Sequence, residues 1–195
     1  MASHNDLGRW GERMAEEYLT RKGYSICHRN WKMGHRDLDL TALSPDGDVL
    51  VIVFFGLVPV CITYYIQLHT CTWQVLLASL ACGLVIDGLL LVNNFRDRDN
   101  DRAVGKLTLV VRIGDTASLL LYLGVGVVAC LMGLVFWLNG HVLAFVLPLV
   151  YLVLHVFTYL KIKRIHKGKA LNLCLGETAR NIFVYGLTVA AGLLL

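Results

Sequence analysis

Charge is what this 195-residue chain has least of: Asp, Glu, Lys and Arg make up 16% of it, while 56% is hydrophobic. A soluble domain carries roughly 25% charged and roughly 45–50% apolar residues. The shortfall excludes an ordinary cytosolic globule, a disordered chain and a DNA-binding module. No CxxC pair occurs among Cys27, Cys61, Cys71, Cys82, Cys130 and Cys174, most of which sit inside apolar runs. They read as small buried hydrophobes, with little room for a zinc site or a disulfide framework. The seven histidines show no metal-ligand spacing on a helix, and residues 1–53 have no early apolar core of the kind a secretory leader needs.

The scarcity is uneven. Residues 1–53 hold 15 of the 32 charged side chains, 7 basic and 8 acidic; the other 142 residues hold 11 basic and 6 acidic. The net charge of +4 therefore resides in the apolar part, where it marks loops rather than a nucleic-acid surface. A short polar segment precedes a membrane protein.

A bilayer-spanning helix needs about 20 mostly apolar residues. Five runs qualify or come close: 54–68 (extendable back to 49), 73–92, 117–138, 142–160 and 181–195. Glycines within them permit close helix contacts in lipid. With five spans, residues 1–48 and the loops 96–112 and 161–169 fall on one face, and each loop carries five basic residues. The opposite face receives 69–72 and 139–141, which contain no Lys or Arg. The positive-inside rule makes the basic face cytoplasmic and leaves the C-terminus outside. The expected fold is an all-α transmembrane bundle with a small N-terminal α/β appendage.

Chemistry concentrates in Asn93-Asn94-Phe95-Arg96-Asp97-Arg98-Asp99-Asn100-Asp101-Arg102, followed by Gly105-Lys106-Leu107-Thr108-Leu109. If the second helix continues past Val92, Asp97 and Asp101 lie four apart on one face. Two carboxylates at that spacing suit Mg²⁺, which completes its octahedron with water and substrate phosphate. Asn93 and Asn94 offer hydrogen bonds to an acceptor or the water shell, and Lys106 and Arg112 offer positive charge to phosphate. A solvated loop obeying the charge rule is the plainer alternative, yet acidic residues contribute little to topology. Asp87 adds weight, because an ionisable residue inside an apolar run usually faces the bundle interior. Positions 87, 94 and 101 are seven apart and share one stripe.

This pattern resembles the second aspartate-rich motif of the UbiA-type intramembrane prenyltransferases, in the branch that prenylates 1,4-dihydroxy-2-naphthoate in bacterial menaquinone biosynthesis. The resemblance covers about 54–195, including Phe55-Gly56-Leu57-Val58-Pro59-Val60 and Thr178-Ala179-Arg180-Asn181. It implies a helical bundle in the bacterial cytoplasmic membrane with a cavity open to lipid. There a polyprenyl diphosphate binds with Mg²⁺ between two aspartate-rich motifs, and a dihydroxynaphthoate-like ring attacks the prenyl carbon. Asp97 and Asp101 would be metal ligands and Lys106 a diphosphate contact, with Arg102 and Arg112 beside it. Asp87 and Asn94 would line the acceptor side, by helical phase. The family's earlier motif, N-D-x-x-D-x-x-x-D, has no counterpart before Phe54. Half of the bundle and half of the metal site are therefore expected to be missing, which impairs turnover unless a separate N-terminal half is a partner.

Residues 7–21 read as an amphipathic helix ended by Gly23, and 24–31, 37–42 and 49–53 as strands, with Pro45-Asp46-Gly47 as a turn. Gly8-Arg9-Trp10-Gly11-Glu12, Gly23-Tyr24, Arg29-Asn30-Trp31 and Gly34-His35-Arg36-Asp37-Leu38-Asp39-Leu40 are similar to a small endonuclease-like family of the PD-(D/E)xK fold. That resemblance implies Asp39 as a metal ligand and Glu12 or Asp37 as an accessory acid. The Glu-x-Lys expected after Val53 is replaced by Phe54-Phe55-Gly56, so a vestigial, inactive segment is expected. The chain reads as two segments joined at about Val53/Phe54; a fusion, a deletion, an assembly error or a designed chimera would each produce it. A remnant nuclease-like protein or a non-catalytic membrane fragment is the alternative function. His155 is expected to pack as a satisfied core residue rather than face a cavity.

Overall fold

Apolar stretches too long to be strands dictate helices, and helices make up nearly all of residues 47–195 in the computed structural model. It describes the backbone of residues 4–33, 36–43 and 47–195, and the side chains of residues 13–24, 26 and 47–195. At the N-terminus α1 (His4–Arg21) is followed by a hairpin, β1 (Ser25–Met33) and β2 (Arg36–Leu43), paired antiparallel with Ser25 opposite Leu43 and Met33 opposite Arg36. Gly23, in the left-handed region at φ 83, closes α1 by letting the Tyr24 amide reach the Leu19 carbonyl at 2.9 Å. The expected helix and first two strands are present.

The third expected strand is not. Residues 49–53 belong to a continuous helical span, α2 (Gly47–Val51), a π-helical turn (Ile52–Leu57) and α3 (Val58–Leu68). An unbroken apolar run has no periodicity with which to distinguish strand from helix, and its length favours the helix. The span runs across Val53/Phe54 without a break. Its π turn precedes Pro59, whose ring and missing N–H leave no regular α bond to the turn before it.

Four more helical segments follow: α4 (Trp73–Ala103), α5 (Leu109–Met132) with the short α6 (Leu134–Leu138), α7 (Val142–Val146) with α8 (Leu149–Ile165), and α9 (Leu171–Leu194). Among the described residues four stretches are long and apolar enough to cross a membrane: Gly47–Leu68, Trp73–Ala103, Leu109–Leu138 and Val142–Ile165. The fifth expected span lies within α9. That helix has the length but is not among these four, and Glu177, Arg180 and Asn181 stand in its first half. The chain is an integral membrane protein.

Helix α4 is the centre of the bundle, packed against the α2–α3 span, α5 and α9. Its 31 residues extend about 46 Å at 1.5 Å per residue, well beyond a hydrocarbon core of about 30 Å. Its last turns therefore project out of the apolar slab. One buried cluster joins Leu91, Phe95, Val110, Tyr122, Ile162 and Leu171; a second joins Ala81, Val85, Ala129, Cys130, Tyr151 and Tyr185. Cys130 and Cys174 are buried as expected, whereas Cys71 is exposed on the turn between α3 and α4.

A polar thread between the clusters is fully satisfied. His155 is 1% exposed; its Nε2 donates to the Tyr122 carbonyl at 2.8 Å, which leaves Nδ1 to accept from the Tyr151 hydroxyl at 3.3 Å. Its ring stacks on Tyr122 at 4.4 Å, and Tyr122 Oη meets Thr178 Oγ1 at 3.0 Å. The packing role expected for His155 is the one observed. Gly126 makes room for it, since a Cβ there would lie 2.4 Å from the imidazole. Gly126→Ala is therefore expected to destabilise the bundle by about 1–3 kcal/mol, seen as a lower melting temperature in detergent. His155→Ala in the same chain should recover part of that loss.

Candidate functional site

The far end of α4 terminates in a turn written into Gly105-Lys106. Gly105, at φ 74, lets the Lys106 amide donate to the Asp101 carbonyl at 2.8 Å and its own amide donate to the Arg102 carbonyl at 3.2 Å. Lys106 is thereby folded back, and its Nζ lies 3.1 Å from Asp101 Oδ1. Asp101 is buried, and its Oδ2 has no hydrogen bond.

One turn earlier, both oxygens of Asp97 are taken by Arg96, at 2.7 Å from Nε and 2.5 Å from Nη2. The same guanidinium donates to Asn93 Oδ1 and Asn172 Oδ1, each at 2.9 Å. Asp87, Asn94 and Asp101 are all buried, at 3%, 5% and 7% exposure, as a stripe of period seven requires. Arg102 is exposed, with Asp99 at 3.9 Å, and Arg112 is exposed on the first turn of α5. Among the described residues neither arginine is ion-paired with Asp97 or Asp101. No group of three or more Asp, Glu, His or Cys side chains converges among those residues either. Glu12 lies on α1 and Asp37 and Asp39 on β2, but their side chains are outside the described ones.

Sequence reasoning missed Arg98. It is 1% exposed, with Nε and Nη2 donating to the two oxygens of Asp115 at 2.9 and 3.0 Å. Its remaining donors reach the Phe95 carbonyl at 2.5 Å and the His166 carbonyl at 2.9 Å. Gly114, at φ 80 and ψ 175, breaks α5 in its second turn, just before Asp115; His166 Nε2 adds a contact to Asp115 at 3.1 Å. The available signal was the spacing 91, 95, 98, which puts Arg98 on the apolar face of α4 with Leu91 and Phe95.

Among the described residues, two of the larger hollows adjoin α4. A groove of 610 Å³ beside its second half is lined by Val51, Phe55, Leu90, Leu175 and Ala179, with Asn93 as its polar end. A larger cleft of 960 Å³ at the opposite end holds Thr63, Tyr64, Gln67, Gln74, Asn139 and His141. Neither lining contains Lys, Arg, Asp or Glu, but the smaller groove ends at Asn93, whose side chain is bound by Arg96 beside Asp97.

Residues 41–193, well over half of the chain, match the UbiA prenyltransferase family. The chain belongs to the UbiA prenyltransferase family. Among UbiA relatives, the 1,4-dihydroxy-2-naphthoate octaprenyltransferase of Escherichia coli (strain K12) is 41% identical over 99 residues, covering 50% of this chain and 31% of that protein. The protein of the same name in Mycobacterium tuberculosis (strain ATCC 25618 / H37Rv) is 40% identical over 83 residues, 43% of this chain and 28% of that one. This chain thus spans less than a third of these UbiA relatives. Residues 11–55 match a second family, described as the uncharacterised protein family UPF0102. A UPF0102 protein of Bacteroides thetaiotaomicron is 49% identical over 51 residues, 26% of this chain and 42% of that protein. The UbiA and UPF0102 matches overlap at 41–55, and no solved structure matches.

Removing one partner of a buried ion pair costs about 3–5 kcal/mol. Asp115 keeps a third of its surface in solvent, so Arg98→Ala is expected to cost less, about 2–3 kcal/mol. Thermal unfolding in detergent measures it, and Arg98→Lys should recover only a fraction because a lysine cannot make the two-pronged contact.

Proposed function

We propose that residues 54–195 carry half of an intramembrane prenyltransferase site, which transfers a polyprenyl group from polyprenyl diphosphate to a 1,4-dihydroxy-2-naphthoate-like ring in menaquinone biosynthesis. The observation that carries this reading is the groove, which is apolar along its length and ends at Asn93, one helical turn before Asp97. A prenyl tail fits the groove, and its diphosphate then reaches the charged end of α4. Residues 1–53 form a separate segment on this reading.

The residues present fit Mg²⁺. Asp101 has a buried carboxylate oxygen with no hydrogen bond, and Asp97 is a second carboxylate on the same helix. Asp97 and Asp101 would hold the ion, which would supply positive charge to the diphosphate leaving group. Arg96 and Lys106 hold the two carboxylates now. With Asp97 and Asp101 holding a cation, Arg96 and Lys106 would be placed to neutralise the phosphates. Arg102 and Arg112 supply a more distant positive field, while Asp87 and Asn94 form the acceptor side of the buried stripe. The UbiA site as a whole needs a second aspartate-rich motif, which a separate N-terminal half supplies.

A prenyl-transfer assay with dihydroxynaphthoate, a polyprenyl diphosphate and Mg²⁺ tests this, run on the chain alone and with a co-expressed N-terminal half of a UbiA relative. Turnover is expected on adding the other half, and Asp97→Ala or Asp101→Ala should each reduce it at least about 100-fold. Unchanged turnover in both variants overturns the assignment.

Orientation is part of the same proposal: residues 1–48 and both basic loops face the cytoplasm of a bacterial inner membrane. In a cysteine-free background, single cysteines at positions 100 and 168 should label from the cytoplasmic side and one at 140 from the other. Labelling of 140 together with 100 would show that α5 does not cross.

A further inference from the structure

Thr178-Ala179-Arg180-Asn181 carries a charged side chain that the aspartate end of α4 does not use. Thr178 and Asn181 are both buried, and their contacts fix the depth of this turn of α9. A Cβ on Gly88 would lie 3.9 Å from Thr178 Cγ2, and Asn181 Nδ2 donates to Thr158 Oγ1 at 3.0 Å. Gly88 and Thr158 belong to the apolar stretches of α4 and α8, so Arg180 stands at the depth of the hydrocarbon core. It is exposed there, and among the described residues no carboxylate is ion-paired with it.

An arginine at this depth is costly unless it faces a partner or a polar cavity. Arg180 is not free to extend toward the basic loop as a snorkelling side chain does. Its Nη2 donates to Asn181 Oδ1 at 3.1 Å, and its Nε to the same oxygen at 3.4 Å. Asn181 is 0% exposed and presents that oxygen because its Nδ2 is committed to Thr158, which donates in turn to the Leu154 carbonyl at 3.0 Å. Both hydrogens of Arg180 Nη1 and one of Nη2 are left for a ligand.

The face that carries Arg180 adjoins the groove beside α4. Gly176 lies one turn before it and Ala179 next to it, and both line that hollow with Leu175 and Asn93. Nothing lies within 4 Å of where a Gly176 Cβ would be, so the wall beside the arginine is flat and open. Such a place suits a planar ring that bears a carboxylate. The ring lies on Gly176 and Ala179, and the free edge of the guanidinium takes both carboxylate oxygens. A diphosphate has basic groups elsewhere: Arg96 touches Asn172, eight residues or about 12 Å before Arg180 along α9.

We propose that Arg180, held by Asn181, binds the carboxylate of the aromatic acceptor. The identity of the ring rests on the transfer reaction proposed above, whereas the preference for a carboxylate rests on Arg180 itself. The test follows the fluorescence of 1-hydroxy-2-naphthoate titrated with the full chain in detergent, alone and with the co-expressed N-terminal half of a UbiA relative. The comparison ligand is 1-naphthol, the ring without its carboxylate. Arg180→Gln should weaken naphthoate binding at least about tenfold and leave naphthol binding unchanged, with Arg180→Lys intermediate. Equal losses for both ligands, no loss for either, or no naphthoate binding in either preparation overturns the proposal. So does a loss of polyprenyl diphosphate binding in Arg180→Gln that naphthoate binding does not share. In the transfer assay, Arg180→Gln should raise KM for dihydroxynaphthoate and not for polyprenyl diphosphate. Absence of transfer alongside Arg180-dependent naphthoate binding overturns the reaction and keeps the carboxylate site.

Discussion

A charged group can stay buried at the end of a membrane helix only if its hydrogen bonds are met by neighbouring backbone and side chains, and Arg98 sets that condition for three elements at once. Its guanidinium is bound by Asp115 from the start of α5, by the His166 carbonyl after α8 and by the Phe95 carbonyl of its own helix. The same group lies over the Phe95 ring at 4.0 Å. The connections α4–α5 and α8–α9 are thereby gathered around one cation. The last turns of α4 are held rigid where they leave the apolar slab, and the aspartates of those turns inherit that rigidity.

The neighbouring carboxylates are held by shorter reaches of chain. Asp97, about a third of it in solvent, takes Arg96 from the preceding position, while the buried Asp101 takes Lys106, which Gly105 folds back onto it. Solvent screens the first pair more than the second. On the proposed reading, these two basic groups would lie beside a bound diphosphate.

What could be read from the residues followed from periodicity. The seven-residue spacing of Asp87, Asn94 and Asp101 required one buried stripe, and the stripe is there. Gly23 ends the first helix because it stands where the chain needs positive φ. Reading failed where pattern was absent. Residues 49–53 are apolar without alternation, so they looked like a strand and proved to be helix. Spacing could place Arg98 on the apolar face of α4, but its pairing with Asp115 depends on the break at Gly114, a tertiary event that no local spacing announces.

The π turn at Ile52–Leu57 bears on how this segment tolerates changes in length. A π turn holds more residues than an α turn of the same rotation, so it acts as a local store of surplus chain. Deleting one residue inside it would relax the turn toward α geometry and leave the flanking faces aligned. Deleting one residue in the regular turn before it would instead rotate the residues ahead of the deletion by about 100° around α2. Insertions and deletions in this span are thus unequal by position: the irregular turn absorbs them, and the regular turn before it transmits them to the helix contact.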